Sequence, residues 1–289
     1  MGEDLRIRPM TEEDVEAAYE LAAHAFAEDR EEVLRRTPEE VAHRQERYRH
    51  LLRTDPGGAW VAEDGGRVSG VALALRREGL WVLSLFVVDE ARRGGGLGRR
   101  LLEHALEYGE GCRGAMIASS THPAAMRRYA LAGFTLQPTL SAKGVVDRRA
   151  LPEKIPVREG TKRDLDLAAE MDRHLRGAPH GPDLEFLLDS GARMFVAKRD
   201  GGAGYALARE GRPLIVAATN EDVAADLLWG VLSTSDSQEE VEVGWLTAEQ
   251  GWAVRVALAA GLALEPAGPI CIRGELGALA PYLPNGAFL

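Results

Sequence analysis

Between Asp89 and Arg100 the chain reads Asp-Glu-Ala-Arg-Arg-Gly-Gly-Gly-Leu-Gly-Arg-Arg, so four glycines fall within the five residues Gly94, Gly95, Gly96, Leu97 and Gly98. An apolar run, Leu85-Phe86-Val87-Val88, comes before it, and Leu101, Leu102, Ala105 and Leu106 follow at helical spacing. Glycine lets a backbone come close to a ligand. The first turn of a helix offers unpaired N–H groups at the positive end of its dipole. A strand, a glycine loop and a helix start in this order form a site for a phosphate or pyrophosphate. Arg92, Arg93, Arg99 and Arg100 add positive charge there. Two nucleotide motifs fail. A P-loop closes on Gly-Lys-Ser/Thr, whereas Gly98 is followed by Arg99-Arg100. A G-x-G-x-x-G motif ends on Arg99 when started at Gly94, and on Leu101 when started at Gly96. A plain glycine-rich connection with solvated arginines is the alternative, but so many glycines are costly to order without a reason.

The elements that must position this loop can be read around it. Leu5-Arg6-Ile7-Arg8-Pro9 alternates and reads as a short strand. Thr11 is expected to cap a helix with Asp14 at its third position, and Glu31–Arg53 reads as helical and heavily charged. Ala59–Leu75 reads as a hairpin turning at Asp64-Gly65-Gly66. Leu80–Val88 reads as a central strand, Met116–Ala118 as a short strand and Pro123–Leu131 as a helix with Gly133 as its C-terminal cap. Lys143–Pro156, with Pro152, Pro156 and a charged stretch, is the linker candidate.

After that linker the pattern repeats. Val157-Arg158-Glu159-Gly160-Thr161-Lys162-Arg163-Asp164 echoes Ile7-Arg8-Pro9-Met10-Thr11-Glu12-Glu13-Asp14. Met194–Ala197 with Gly201-Gly202 echoes Ala59–Ala62 with Gly65-Gly66, and Arg255–Leu262 echoes Arg127–Phe134. Three matches in one order predict a tandem duplication, with domains at 1–145 and 156–289. The element order in each copy is strand, helices, hairpin, strand, helix, strand, helix. That order predicts an α/β fold with a mixed sheet flanked by helices.

Arg93-Gly94-Gly95-Gly96-Leu97-Gly98 resembles the Arg/Gln-x-x-Gly-x-Gly/Ala loop of the GCN5-related N-acetyltransferase (GNAT) superfamily. His122–Phe134 resembles the late helix of that family, with Tyr129 four residues before Gly133-Phe134. The resemblance covers residues 5 to about 140 well and the second half more faintly. It implies two tandem GNAT-like domains and acetyl-coenzyme A as donor. Backbone groups of Phe86, Val87 and Val88 would contact the pantetheine arm, and amides from Gly94 to Arg99 would cradle the pyrophosphate. Tyr129 would be the general acid that protonates the leaving thiolate, a role that suits a phenol with pKa near 10. Many relatives carry Asn where His122 stands, and His122 is read here as a surface residue at a helix start.

The second copy lacks these groups. Leu214–Ala218 runs into Thr219-Asn220-Glu221-Asp222 with no glycine, and two carboxylates repel a pyrophosphate. Ala257 aligns with Tyr129. The C-terminal domain is therefore expected to be non-catalytic. Its expected roles are packing on the first domain, completing the acceptor cleft, or forming a homodimer. Its apolar end, Tyr282–Leu289, is expected to dock.

An acetyl acceptor must lose a proton before or during attack, and Glu28, Asp29 and Glu90 are the candidate bases. The net charge of −10 weakly favours a cationic acceptor, a small-molecule or peptide amine. It disfavours nucleic acid and anionic membranes, and with them a nucleic-acid role for the arginines. A non-catalytic acyl-coenzyme A sensor is the remaining rival. Hydrophobic residues make up 45% of the 289, enough for a core in each half. Cys112 and Cys271 are too few for a disulfide framework and too distant for a local metal pair, so no metal is expected. No secretory leader is recognised and no stretch is long enough to span a bilayer, so a cytoplasmic location is expected.

Overall fold

The computed structural model describes residues 5–26, 33, 35–199 and 201–289. The chain divides into two compact units. One comprises residues 1–76 and 81–112, the other residues 77–80 and 113–289. This division does not follow the sequence boundary at 145/156.

The first unit holds four strands in the order β1-β2-β3-β4: β1 (Arg6–Pro9), β2 (Ala59–Asp64), β3 (Arg67–Arg77) and β4 (Leu80–Val88). Pairing of β1 with β2 and of β2 with β3 is antiparallel. Gly65 and Gly66 have φ of 56° and 79° in the β2–β3 turn, the left-handed pair that a two-residue hairpin of this twist requires. Three helices complete the unit: α1 (Val15–Phe26), α2 (Pro38–Thr54) and α3 (Leu97–Glu107). Val33 and Arg35 are helical, Arg36 and Thr37 are not, and α2 starts afresh at Pro38, so the charged run is broken rather than one continuous helix. Thr37 caps it, accepting the Glu40 amide while the Glu40 carboxylate accepts the Thr37 amide. Trp81, buried in β4, donates its indole N–H to Ala105 O at 2.9 Å and fixes α3 on the sheet.

The second unit contains β5 (Gly114–Ala118), α4 (Pro123–Leu131) and β6 (Thr135–Gly144) from the first repeat. It also contains the second repeat: β7 (Val157–Glu159), α5 (Leu165–Leu175), α6 (Pro182–Asp189), β8 (Arg193–Arg199), β9 (Gly202–Arg209), β10 (Arg212–Ala218), α7 (Glu221–Leu232), β11 (Val241–Leu246), α8 (Gly251–Ala259), β12 (Ala263–Gly274) and β13 (Tyr282–Leu283). β7-β8-β9-β10 is an antiparallel sheet like β1-β2-β3-β4, with β13 added at its edge.

Each repeat ends in one more strand than the sequence reading gave it, and these two strands are interleaved. The order is β5-β12-β6-β11. β12, from the second repeat, pairs Ile272 with Met116 on β5 and with Thr135 on β6. β6, from the first repeat, lies between β12 and β11, pairing Lys143 with both Ala263 and Glu242. β12 bulges between Ala267 and Ile270. There a β-carbon on Gly268 would lie 1.9 Å from Ser119 O, so only glycine fits. The linker candidate also needs correction. Lys143 and Gly144 are strand, and the loop after them is tied down by Asp147 N–H to Ala260 O at 2.9 Å and by Arg148 to Ser233 O at 3.0 Å.

The duplication is visible in atomic detail at the start of each repeat. Arg8 forks onto Asp14 through two bonds of 2.7 Å, and Asp14 accepts the Thr11 amide at 2.8 Å. Arg158 forks onto Asp164 in the same way, and Asp164 accepts the Thr161 amide at 3.0 Å.

Candidate functional site

The end of β4 brings Phe86, Val87 and Val88 to the glycine loop, with Val87 buried and its neighbours half-buried. The chain turns at Asp89, whose amide donates to Ser69 O at 2.9 Å. The Asp89 carboxylate accepts the Ala91 amide at 3.0 Å and Arg67 at 2.6 Å. The Arg93 side chain returns to Val88 O at 3.3 Å. These bonds hold the loop entrance.

Gly94 and Gly96 have φ of 86° and 84°, and a β-carbon at either would meet nothing within 4 Å. Backbone conformation, not lack of space, is what selects glycine there. Gly98 is different. A β-carbon would rest 3.6 Å from Val88 Cγ2 and 3.7 Å from Phe86 Cζ, at ordinary contact. Gly96 occupies the N-cap of α3 and has no side chain to close it. The Arg99 and Arg100 amides both donate to Gly96 O, at 3.0 and 3.2 Å. The amides of Gly94, Gly95, Gly96, Leu97 and Gly98 have no acceptor among the described residues. The row of free amides thus stops at Gly98, one residue short of the expected Gly94–Arg99 range. Arg99 offers its exposed guanidinium, 3.7 Å from Glu103, rather than its N–H. Arg92 is paired with Asp64. Free amides at an uncapped helix start, with exposed arginines beside them, suit a pyrophosphate.

Tyr129 lies in the second unit, on α4, and is 4% exposed. Burial, and next to it the Cys271 thiol, push the phenol well above its ordinary pKa. It therefore carries its proton throughout the physiological range. Burial raises Cys271 itself to about 12. His122 is the N-cap of α4, its Nδ1 accepting the Ala124 amide at 3.2 Å, and at the other end Gly133 takes φ of 84°. Glu90 is exposed, and Glu28 and Asp29 lie outside the described residues. Among the described residues no group of three His, Cys, Asp or Glu could hold a metal, and no helix is long and apolar enough to cross a membrane.

The corresponding connection in the second repeat is built differently. β10 reaches α7 through Thr219 and Asn220 alone. Asn220 caps the helix, accepting the Val223 amide at 3.0 Å, and Thr219 exchanges hydrogen bonds with Ala203 at 2.9 and 3.0 Å. The edge of β10 is occupied by β13, with Val216 opposite Leu283 and Ala217 opposite Tyr282. The tail docks as its composition suggests: Phe288 and Leu289 are buried, and Arg176 donates to Phe288 O at 3.1 Å. Sequence reasoning did not find β13, because two residues carry no periodicity.

Residues 16–134 match the family model of the acetyltransferase (GNAT) family. No curated protein matches the chain. Among solved structures, a Pyrococcus horikoshii protein assigned as an acetyltransferase superposes with TM-score 0.77 at 17% identity, covering 100% of this chain and 96% of its own. A tandem GNAT protein from the clavulanic acid biosynthesis pathway gives 0.60 at 17% identity, covering 94% and 98%. A GCN5-related N-acetyltransferase from Sphaerobacter thermophilus gives 0.61 at 16% identity, covering 95% and 96%. The fold is thus that of tandem GNAT proteins along nearly the whole chain. The first repeat is a GNAT-family domain, and its class is that of acyltransferases drawing on acyl-coenzyme A.

Proposed function

We propose that the protein is an N-acetyltransferase that moves an acetyl group from acetyl-coenzyme A directly to the amine of a small molecule or peptide. The observation that supports this reading most is the set of five free amides, Gly94–Gly98, at the uncapped start of α3. When bound, acetyl-coenzyme A supplies an activated thioester. The loop amides and the dipole of α3 hold the pyrophosphate, and the backbone of Phe86, Val87 and Val88 receives the pantetheine arm. Tyr129, kept protonated by burial, gives its proton to the departing sulfur as the amine attacks. The second repeat has no donor site in this reading. Asn220 already uses the α7 start, β13 covers the β10 edge, and Ala257 stands where a tyrosine would be needed.

Calorimetric titration with acetyl-coenzyme A tests this. One site per chain is expected, lost in Gly96→Glu, which places a carboxylate beside the pyrophosphate and strains a left-handed residue. Two sites would overturn the assignment of the second repeat, and no binding by the intact protein would overturn the reading as a whole.

A further inference from the structure

The interleaved strands create a cavity that neither repeat could form alone. It measures about 260 Å³ and lies wholly within the second unit. That is just below the usual range for drug-sized ligands, about 300–1,000 Å³, and so suits a smaller molecule. Met116 of β5 and Ile270 and Ile272 of β12 supply an apolar floor, extended by Leu276 and Leu279. Gln137, from the first repeat, and Trp245, Thr247 and Glu249, from the second, supply the polar part of its wall.

Three observations give this cavity a chemical preference. Glu249 is the sole charged residue in its lining among the described residues. Gln250 is engaged by its own structure, its Nε2 donating to Leu279 O at 2.7 Å and its Oε1 accepting from Trp252 Nε1 at 2.8 Å and the Tyr282 amide at 3.2 Å. Its oxygen is thereby taken up in fixing the wall, which leaves Glu249 as the acceptor for a cation. Trp245 sits at the bulge of β11 with φ of 59°, a left-handed conformation that a bulky residue keeps only when its surroundings enforce it. The tail helps to enforce it, since a β-carbon on Gly286 would lie 3.0 Å from Trp245 Cζ2. An indole and a carboxylate lining an apolar floor match an ammonium group on an apolar body. A carboxylic acid of the same shape would meet like charge at Glu249.

We infer that this cavity binds a small amphipathic primary amine, with the ammonium at Glu249 and Trp245 and the apolar body against Met116, Ile270 and Ile272. For its role the inference rests on the proposed amine acetylation, whose acceptor this ligand would be. For its existence it needs only the cavity.

The test is calorimetric titration of the full chain with phenethylamine as probe and 3-phenylpropionate as its anionic counterpart, without any acyl-coenzyme A. One saturable phenethylamine site per chain is expected, with weak or no binding of the acid. Glu249→Gln should weaken the amine at least tenfold, and Glu249→Lys should reverse the preference between the two probes. Glu249 is exposed, so neither variant threatens the fold. Met116→Trp, which fills the floor, should abolish binding of both. No saturable binding, equal affinity for amine and acid, or an unchanged Glu249→Gln would each overturn the inference. Titrating the same samples with acetyl-coenzyme A separates the two readings. Loss of donor binding in the intact protein overturns the proposed reaction, while the amine result judges the cavity alone.

Discussion

The two repeats begin alike and diverge at one connection. Arg8–Asp14 and Arg158–Asp164 are the same ion pair on the same Thr-capped turn. Both repeats continue through helices into a four-strand antiparallel arrangement. After the fourth strand, the first uses residues 89–96 to reach its helix and leaves the helix start open. The second uses residues 219–220 and closes the helix start with Asn220. A scaffold can thus be copied while one connection is rebuilt in its length and its caps. The same polar demand of a helix N-terminus is met by a ligand in one reading and by an asparagine in the other.

The largest effect comes from trying to separate the repeats. Cut at 150, the first half loses β12 from between β5 and β6, and the second loses β6 from between β12 and β11. Each half expressed alone is expected to be insoluble or to lack a cooperative thermal transition, and co-expression should restore a folded complex, as read by calorimetry. Two halves that each fold alone would show the exchange to be ornamental.

A smaller effect probes the proposed catalytic difference. Tyr129→Phe should lower kcat by about a hundredfold while leaving acetyl-coenzyme A affinity unchanged, the signature of a lost proton donor. Ala257→Phe, at the matching position of α8, tests stability instead. Ala257 is fully buried, so overpacking should cost about 1–3 kcal/mol with no change in donor affinity.

Asn220→Ala removes the cap of α7 and should cost about 1 kcal/mol in a urea melt. Donor stoichiometry should stay at one, and a second site in this variant would mean that the cap alone keeps the second repeat silent.

The smallest effect concerns the shared turn in acid. Arg158 holds Asp164 down at about 2. Burial alone would raise Asp14, but bonds from Arg8 and Thr11 outweigh it and keep it below the ordinary carboxylate range. A depressed carboxylate contributes stability above its ordinary pKa and loses it as pH falls through the depressed value. The Arg158–Asp164 pair should therefore weaken between about pH 4 and 2, and the Arg8–Asp14 pair as pH falls below the ordinary carboxylate range. Asp164→Asn and Asp14→Asn should each flatten the dependence of stability on pH in the window of its own pair, measured by urea melts at stepped pH. Equal flattening would confirm that the two turns are energetic as well as geometric copies.

Local chemistry was legible in the sequence wherever it is set by near neighbours. The Asp64-Gly65-Gly66 turn, the uniformly apolar β4, the Pro123–Leu131 helix and the glycine loop all declare themselves within a dozen residues. The break before α2 was also written there, in Thr37-Pro38-Glu39-Glu40, but a general run of charge hid it. β6 and β12 were missed because Pro138, Pro266, Gly268 and Pro269 read as strand breakers. Their interleaving, and with it the Glu249 cavity, depends on pairings more than a hundred residues apart, which no local pattern encodes.

The exchange of β6 and β12 also sets a timetable for making the protein. β6 ends at Gly144 and β12 at Gly274, so the ribosome adds 130 further residues before the first repeat can complete its pairing. At about 5–20 residues per second that is a delay of roughly 6–26 s. Throughout it β5 and β6 lack the strand that lies between them in the finished sheet, and unpaired strand edges are where a chain is exposed to aggregation.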